Sequence, residues 1–178
     1  MTAGQKNIIV RCQEGDVKAQ FLLYKQYSKA MYNIAVRFLN NTMDAEDILQ
    51  ESFLSAFEKI NGLANTNSFG SWLKRIVINN CLTLLRKKKM YFEDIEDYKL
   101  EDTDDRDSFE DIDPVLVHSE IKNLPDGGRT ILVLHALEGY KHREIAKMMG
   151  ISESTCRTQY KRALGILNKN IKEKVYVN

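Results

Sequence analysis

Long apolar runs are missing from this chain of 178 residues, and no stretch approaches the roughly 20 residues that a membrane-spanning helix needs. Met1 to Val10 also lacks the apolar core and small-residue cleavage site of a secretory leader, so the expected location is the cytoplasm. Cysteine is scarce. Cys12, Cys81 and Cys156 are widely spaced, with no Cys-x-x-Cys and no neighbouring Cys/His set, which excludes a zinc motif or redox pair and leaves small buried apolar residues. With 2 Pro, 9 Gly and 43% hydrophobic residues, the composition is that of a folded globular chain rather than a disordered one. No segment sustains the period-two alternation of a strand, and no internal repeat is present.

What the chain does have is segregated charge, concealed by a formal total of +1. Glu93 to Asp113 holds 12 acids against Lys99 and Arg106, while the remainder holds 24 bases against 13 acids. Two basic parts are thus joined by an acidic connector. A basic surface of that kind is the electrostatic footprint of a nucleic-acid binder.

The periodicity predicts helices throughout. Asp16 to Asn40 follows a Glu14-Gly15 break and repeats Phe21, Tyr24, Ser28, Met31, Ala35 and Phe38 on one face. Asn41-Thr42 supplies cap chemistry for a second helix reaching about Ile60, with Asp44, Glu46 and Asp47 where a helix start favours acids. Its inward face is Ala45, Ile48, Ser52 and Ala56, broadened by Leu49, Phe53 and Phe57. Asn61 to Ser68 is a polar loop, and a third helix follows from about Phe69 to Lys89. The acidic connector is too polar and self-repelling to pack, so it is expected to be extended and flexible. Beyond it, helices fit Pro114–Asn123, Asp126–Leu137, Arg143–Met149 and Glu153–Glu173, punctuated by Pro125, Gly127-Gly128, Gly139 and Gly150. The expected fold is all-α: two small helical domains, 1–90 and 114–178, on an acidic linker, 91–113.

The most specific local signal runs from Arg143 to Ala163, a short helix, a glycine-containing turn and a longer helix. This is helix-turn-helix grammar. Ile145, Ala146 and Met149 pack the first helix, and Cys156, Tyr160, Ala163 and Leu167 form the inward stripe of the second, with Ser152 as its N-cap. That register turns Ser154, Thr155, Arg157, Thr158, Lys161 and Arg162 outward, short hydroxyls and long cations suited to a major groove. His135, Glu138 and His142 share a spacing that metal ligands use, but Gly139 interrupts their helix, and neither metal nor cofactor is expected.

Between Lys74 and Lys89 lie six bases and no acid: Lys74, Arg75, Arg86, Lys87, Lys88 and Lys89. The opposite face carries Trp72, Ile76, Leu82 and Leu85, with Trp72 assigned to the core. Such a helix suits phosphates, and Asn79 and Asn80 offer amides able to read a base edge. The loop before it, with Asn65, Asn67 and Ser68, has two open readings: capture of an unstacked base, or an ordinary capped and solvated turn.

These residues resemble the extracytoplasmic-function (ECF) subgroup of bacterial sigma factors, from about Asp16 to Leu167. Three blocks carry the resemblance. Asp44-Ala-Glu-Asp-Ile-Leu-Gln-Glu-Ser-Phe53 is similar to the polymerase-clamp helix. Phe69-Gly-Ser-Trp-Leu-Lys-Arg-Ile-Val-Ile-Asn79 with Arg86 is similar to the minus-ten segment. Leu124-Pro125, Glu144-Ile-Ala and Ser154 to Ala163 are similar to the minus-thirty-five segment. Departures are Thr83 where the family usually has Asp and Cys156 where it usually has Val, and Gly127-Gly128 is expected to fray a helix start.

The resemblance implies a promoter-specificity subunit that is not an enzyme. Its partners would be core RNA polymerase, promoter DNA and an anti-sigma factor, a membrane-anchored one included, with no small-molecule substrate. It implies polymerase binding through Asp44, Asp47, Gln50, Glu51 and Phe53. It assigns minus-ten recognition and melting to Asn65, Asn67, Ser68, Lys74, Arg75, Asn79, Asn80, Arg86 and Lys87, and minus-thirty-five recognition to the outward arc from Ser154 to Arg162. The acidic connector would thread a channel built for RNA. A stand-alone helix-turn-helix regulator, with the N-terminal bundle as a dimerisation or sensing module, is the alternative. A nucleic-acid enzyme finds no Ser/His/Asp arrangement or phosphate-cradling loop to support it.

Overall fold

The computed structural model describes residues 3–88 and 113–176, so the acidic linker, Asp113 apart, lies outside the described residues. Every regular element among the described residues is helical. They form two compact units, Met1–Leu85 and Arg86–Asn178, each taken by itself below. No described helix is long and apolar enough to cross a membrane.

The first unit opens on a helix the periodicity did not reveal, α1 (Ala3–Gln13). Its end is fixed by backbone geometry. Gly15 adopts φ +85°, a left-handed conformation that costs glycine little, so the Asp16 amide can donate to Arg11 O at 2.9 Å and the Gly15 amide to Cys12 O at 3.0 Å. Asp16 then caps α2 (Val17–Leu39), accepting from the Lys18 and Ala19 amides at 2.8 and 3.2 Å. Its other carboxylate oxygen accepts from the Arg11 guanidinium at 2.6 Å. That Arg11 bond is the largest of the interactions holding the Asp16 carboxyl below its ordinary 3.8.

Helix α2 buries Ala19, Leu23, Met31, Ile34, Ala35, Phe38 and Leu39. Met31, Ala35 and Phe38 lie on the expected stripe, but nearer the start of the helix Ala19 and Leu23 are buried instead, and Phe21 lies outside the core at 65% exposure. Helix α3 (Thr42–Lys59) is capped by Asn41, whose side-chain oxygen accepts from the Asp44 amide at 3.1 Å, and buries Ala45, Ile48, Leu49, Ser52, Phe53 and Ala56. Two 3₁₀ turns, Ile60–Gly62 and Thr66–Ser68, lead into α4 (Phe69–Lys87). Here Phe69, Leu73, Val77, Ile78, Cys81, Leu82 and Leu85 are buried, while Trp72 and Ile76 sit half-buried at the flank rather than in the core. Tyr27 packs edge-on against Phe69 at 5.2 Å, over Gly70, where an added Cβ would come within 3.1 Å of its ring.

In the second unit, Asp113 caps α5 (Pro114–Lys122) by accepting from the Val115 amide at 2.8 Å, with Pro114 in the first turn where its missing N–H is harmless. Helix α6 (Asp126–Leu132) passes into a π-helical turn, Val133–Leu137, in which the Glu138 amide donates to Val133 O at 3.0 Å. Gly127-Gly128 forms the first turn of α6 in the structure. Gly128 is buried, the Arg129 amide donates to Pro125 O at 2.8 Å, and the buried Arg129 guanidinium holds Leu124 O at 3.0 Å together with the Asp126 carboxylate. Helices α7 (His142–Met149) and α8 (Glu153–Tyr176) complete the unit.

All three cysteines are buried thiols. Burial is the first cause that pushes Cys12 up to about 11 and Cys81 up to about 12, and it raises Cys156 as well.

The carboxylate of Glu120, only 1% exposed, ties α5 to the far end of α8. It accepts from Lys174 Nζ at 2.5 Å, and from Asn170 and Asn123 amides at 3.2 Å each. The Lys174 bond leads in holding this carboxyl below 4.5, ahead of the opposing effect of burial. Its stabilisation is present above pH 4.5 and is lost as pH falls through the depressed folded value. Glu120→Ala should lower the unfolding free energy of the full chain by about 2 kcal/mol at pH 7. Denaturant titration at pH 7 and at pH 3.5 checks this, since a variant as stable as the parent at pH 7 would contradict it.

Candidate nucleic-acid interface

In the second unit the turn between α7 and α8 is built by two devices. Gly150 is left-handed at φ +71°, so its own amide closes α7 on Ala146 O, followed by the Ile151 amide at 3.0 Å. Ser152 then caps α8, its hydroxyl accepting from the Thr155 amide at 3.0 Å. The opposite end of α7 is closed by Glu144, which accepts from the Lys141 amide at 2.8 Å. With both ends set, α8 turns Cys156, Gln159, Ala163, Leu167 and Ile171 inward.

That rotation leaves Ser154, Thr155, Arg157, Thr158 and Lys161 exposed together on one arc. Arg162, expected on the same arc, is half-buried, and its buried Nε has no hydrogen-bond partner. It lies at the inner edge of the helix because Gln159 and Ala163, three before and one after, face the core. Arg157 is held along the helix by Glu153 at 2.6 Å. Being exposed, that pair contributes only about 0.5 kcal/mol, so a stronger anion can take the guanidinium from it.

Behind the arc, His135 and His142 stack at 4.0 Å, with Tyr160 edge-on to them at 4.8 and 5.2 Å. His135 Nδ1 meets Tyr140 O at 2.8 Å, and His142 Nδ1 lies 3.6 Å from Cys156 Sγ. The rings lie face to face, so their lone pairs do not converge, and no group of His, Cys, Asp or Glu among the described residues is placed to hold a metal ion.

Along α4, Arg75, Asn79, Arg86 and Lys87 are exposed, with Lys74 half-exposed. Asn80 is half-buried, and its amide donates to the buried Ser52 hydroxyl at 3.0 Å, joining α4 to α3. The Thr83 hydroxyl folds back onto Asn79 O at 2.9 Å. In the loop, Asn65 accepts from the Asn67 amide at 3.0 Å while the Ser68 hydroxyl donates to Asn65 O at 2.7 Å, so the turn is an ordered shape with Asn65 and Asn67 exposed.

Helix α3 exposes Asp47, Gln50 and Glu51, with Asp44 half-exposed. Phe53 is instead a core residue, 3% exposed and packed on Tyr24 at 4.8 Å, so it supports this face without belonging to it. The residue missed is Leu54, 66% exposed at the helical spacing that continues from Asp47, Gln50 and Glu51.

The Sigma-70 region 2 family model matches residues 23–90, and that of Sigma-70, region 4 matches residues 115–167. The RNA polymerase sigma factor SigV of Bacillus subtilis is 30% identical over 142 residues, covering 79% of this chain and 84% of SigV. The chain belongs to the ECF sigma factors of bacterial RNA polymerase. This ECF sigma factor is also 29% identical to the RNA polymerase sigma-H factor of Pseudomonas aeruginosa over 177 residues, covering 92% of each. Its fold matches the sigma factor RpoE of Bartonella quintana, solved in complex with the anti-sigma factor NepR, at TM-score 0.54 and 19% identity over 88% of this chain and 98% of that one. As a family member it is a promoter-specificity subunit that binds core polymerase and promoter DNA to start transcription, and the stand-alone regulator is not favoured.

Burial, then the neighbouring His135 and Arg157, hold the His142 imidazole below its ordinary 6.5, with Glu153 opposing. A depressed imidazole favours the fold while neutral, so stability should fall as pH drops below about 6.5 and be regained above it. His142→Gln should flatten this dependence between pH 7.5 and 5.5 in thermal melts, a window above that of Glu120. An equally steep decline in the variant would exclude His142 as its source.

Proposed function

We propose that the two units divide promoter recognition between them. The helix-turn-helix domain, 114–178, docks on minus-thirty-five duplex through Ser154, Thr155, Arg157, Thr158 and Lys161. The N-terminal domain, 1–90, opens and holds minus-ten DNA through α4 and its preceding loop, and binds polymerase through Asp44, Asp47, Gln50, Glu51 and Leu54. The single observation that carries this reading is the exposed arc on α8, short hydroxyls and cations at the start of a helix whose rotation is fixed by Gly150 and Ser152. The linker, 91–113, connects the two. The protein acts in the cytoplasm as a binding subunit without chemistry of its own.

An anti-sigma factor is the proposed regulator. RpoE of Bartonella quintana was solved with one, and the first unit exposes Val17, Phe21, Leu22 and Leu54, apolar area that a protein partner would cover.

Added to core polymerase and a promoter library, the full chain should produce specific transcription starts. Tight duplex binding without polymerase association would overturn the reading. Arg157→Ala should relax preference at one minus-thirty-five base by about 1–3 kcal/mol, whereas Lys87→Ala should weaken all promoters evenly and reduce the salt slope by about one. Equal effects of both changes on every sequence, read by filter binding across a salt series, would refute the assignment.

A further inference from the structure

We infer that Gln13 is a positioning residue for the minus-ten loop: from α1 it fixes the frame on which Asn65 and Asn67 are displayed. The inference rests on the proposed part of that loop in holding opened minus-ten DNA, taken as capture of an unstacked base. Gln13 Nε2 donates to Ile60 O at 3.0 Å and to Leu63 O at 3.3 Å, so one half-buried amide bridges the two carbonyls on either side of Asn61-Gly62.

The amide works from a fixed base. Ile9 and Cys12 bury one face of α1, the left-handed Gly15 closes its end, and Arg11 holds the cap of α2 through Asp16. On the loop side, Ile60, Leu63 and Phe69 are buried anchors. Between Leu63 and Phe69 the chain is short, and Asn65 closes it with bonds to Asn67 and Ser68. A hold on the Leu63 carbonyl therefore fixes where the Asn65 turn begins. Without it the turn must be ordered when DNA arrives, and that cost falls on the step that uses the loop, leaving phosphate contacts elsewhere unaffected.

The test uses holoenzyme, full-length chain on core polymerase, and promoter DNAs in which each minus-ten and minus-thirty-five base is replaced in turn. Gln13→Ala removes the donor. Gln13→Glu keeps the volume but sets a carboxylate against two carbonyls. Both should reduce discrimination about fivefold at the captured minus-ten base, with minus-thirty-five discrimination, core affinity and salt slope unchanged. Unchanged discrimination in both variants overturns the inference, as does an even loss at every position, which marks a merely structural residue. Parent holoenzyme that selects no minus-ten base overturns the base-capture reading itself, and the inference with it.

Discussion

Rotational register is the constraint on which every surface of this protein depends. A helix in a unit of fewer than 100 residues has few ways to bury its apolar stripe, and once that stripe is set the outward side chains are set with it. Ala45, Ile48, Ser52 and Ala56 turned inward on α3 oblige Asp47, Gln50, Glu51 and Leu54 to face out. Cys156, Gln159 and Ala163 turned inward on α8 do the same for the arc from Ser154 to Lys161. Packing and display are one decision made at the level of the helix.

Helix ends refine that decision. Rotation alone leaves a helix free to slide or tilt, and caps remove the freedom: Asp16 for α2, Asn41 for α3, Asp113 for α5, Ser152 for α8. In the second unit Glu120 and Arg129 add buried charge that is paired or hydrogen-bonded, one at each end of the α5–α6 corner. Buried charge is weak evidence for stability, but paired in this way it distinguishes one arrangement of short helices from its near neighbours.

The helix-turn-helix was legible because its signals are local: Gly150 for the turn, Ser152 for the cap, and an inward stripe that needed no partner helix to locate. Other features were decided by packing that one stretch of sequence does not contain. Helix α1 has most of its apolar residues clustered at Ile8, Ile9 and Val10, and its buried face is only the pair Ile9 and Cys12, too short a pattern to mark a helix, which ends at the Gly15 corner. Phe21 fitted the periodic stripe of α2 and lies outside it, since α2 packs against α1 as well as α3. Asn80 has the chemistry to read a base, and only the fold shows that one amide hydrogen goes to the Ser52 hydroxyl. Phe53 sits among acids in sequence and among aromatics in space. The π-helical turn at Val133–Leu137 left no mark in the sequence at all.

The burial of all three cysteines has a practical side. Cys12, Cys81 and Cys156 are at most 2% exposed, and burial holds their thiols protonated at neutral pH, so reagents that attack thiolates meet little native reactivity. One surface cysteine placed on each unit could then carry a donor or an acceptor fluorophore with the natural thiols left in place, which makes the chain a ready subject for following domain separation by energy transfer as polymerase and promoter are engaged.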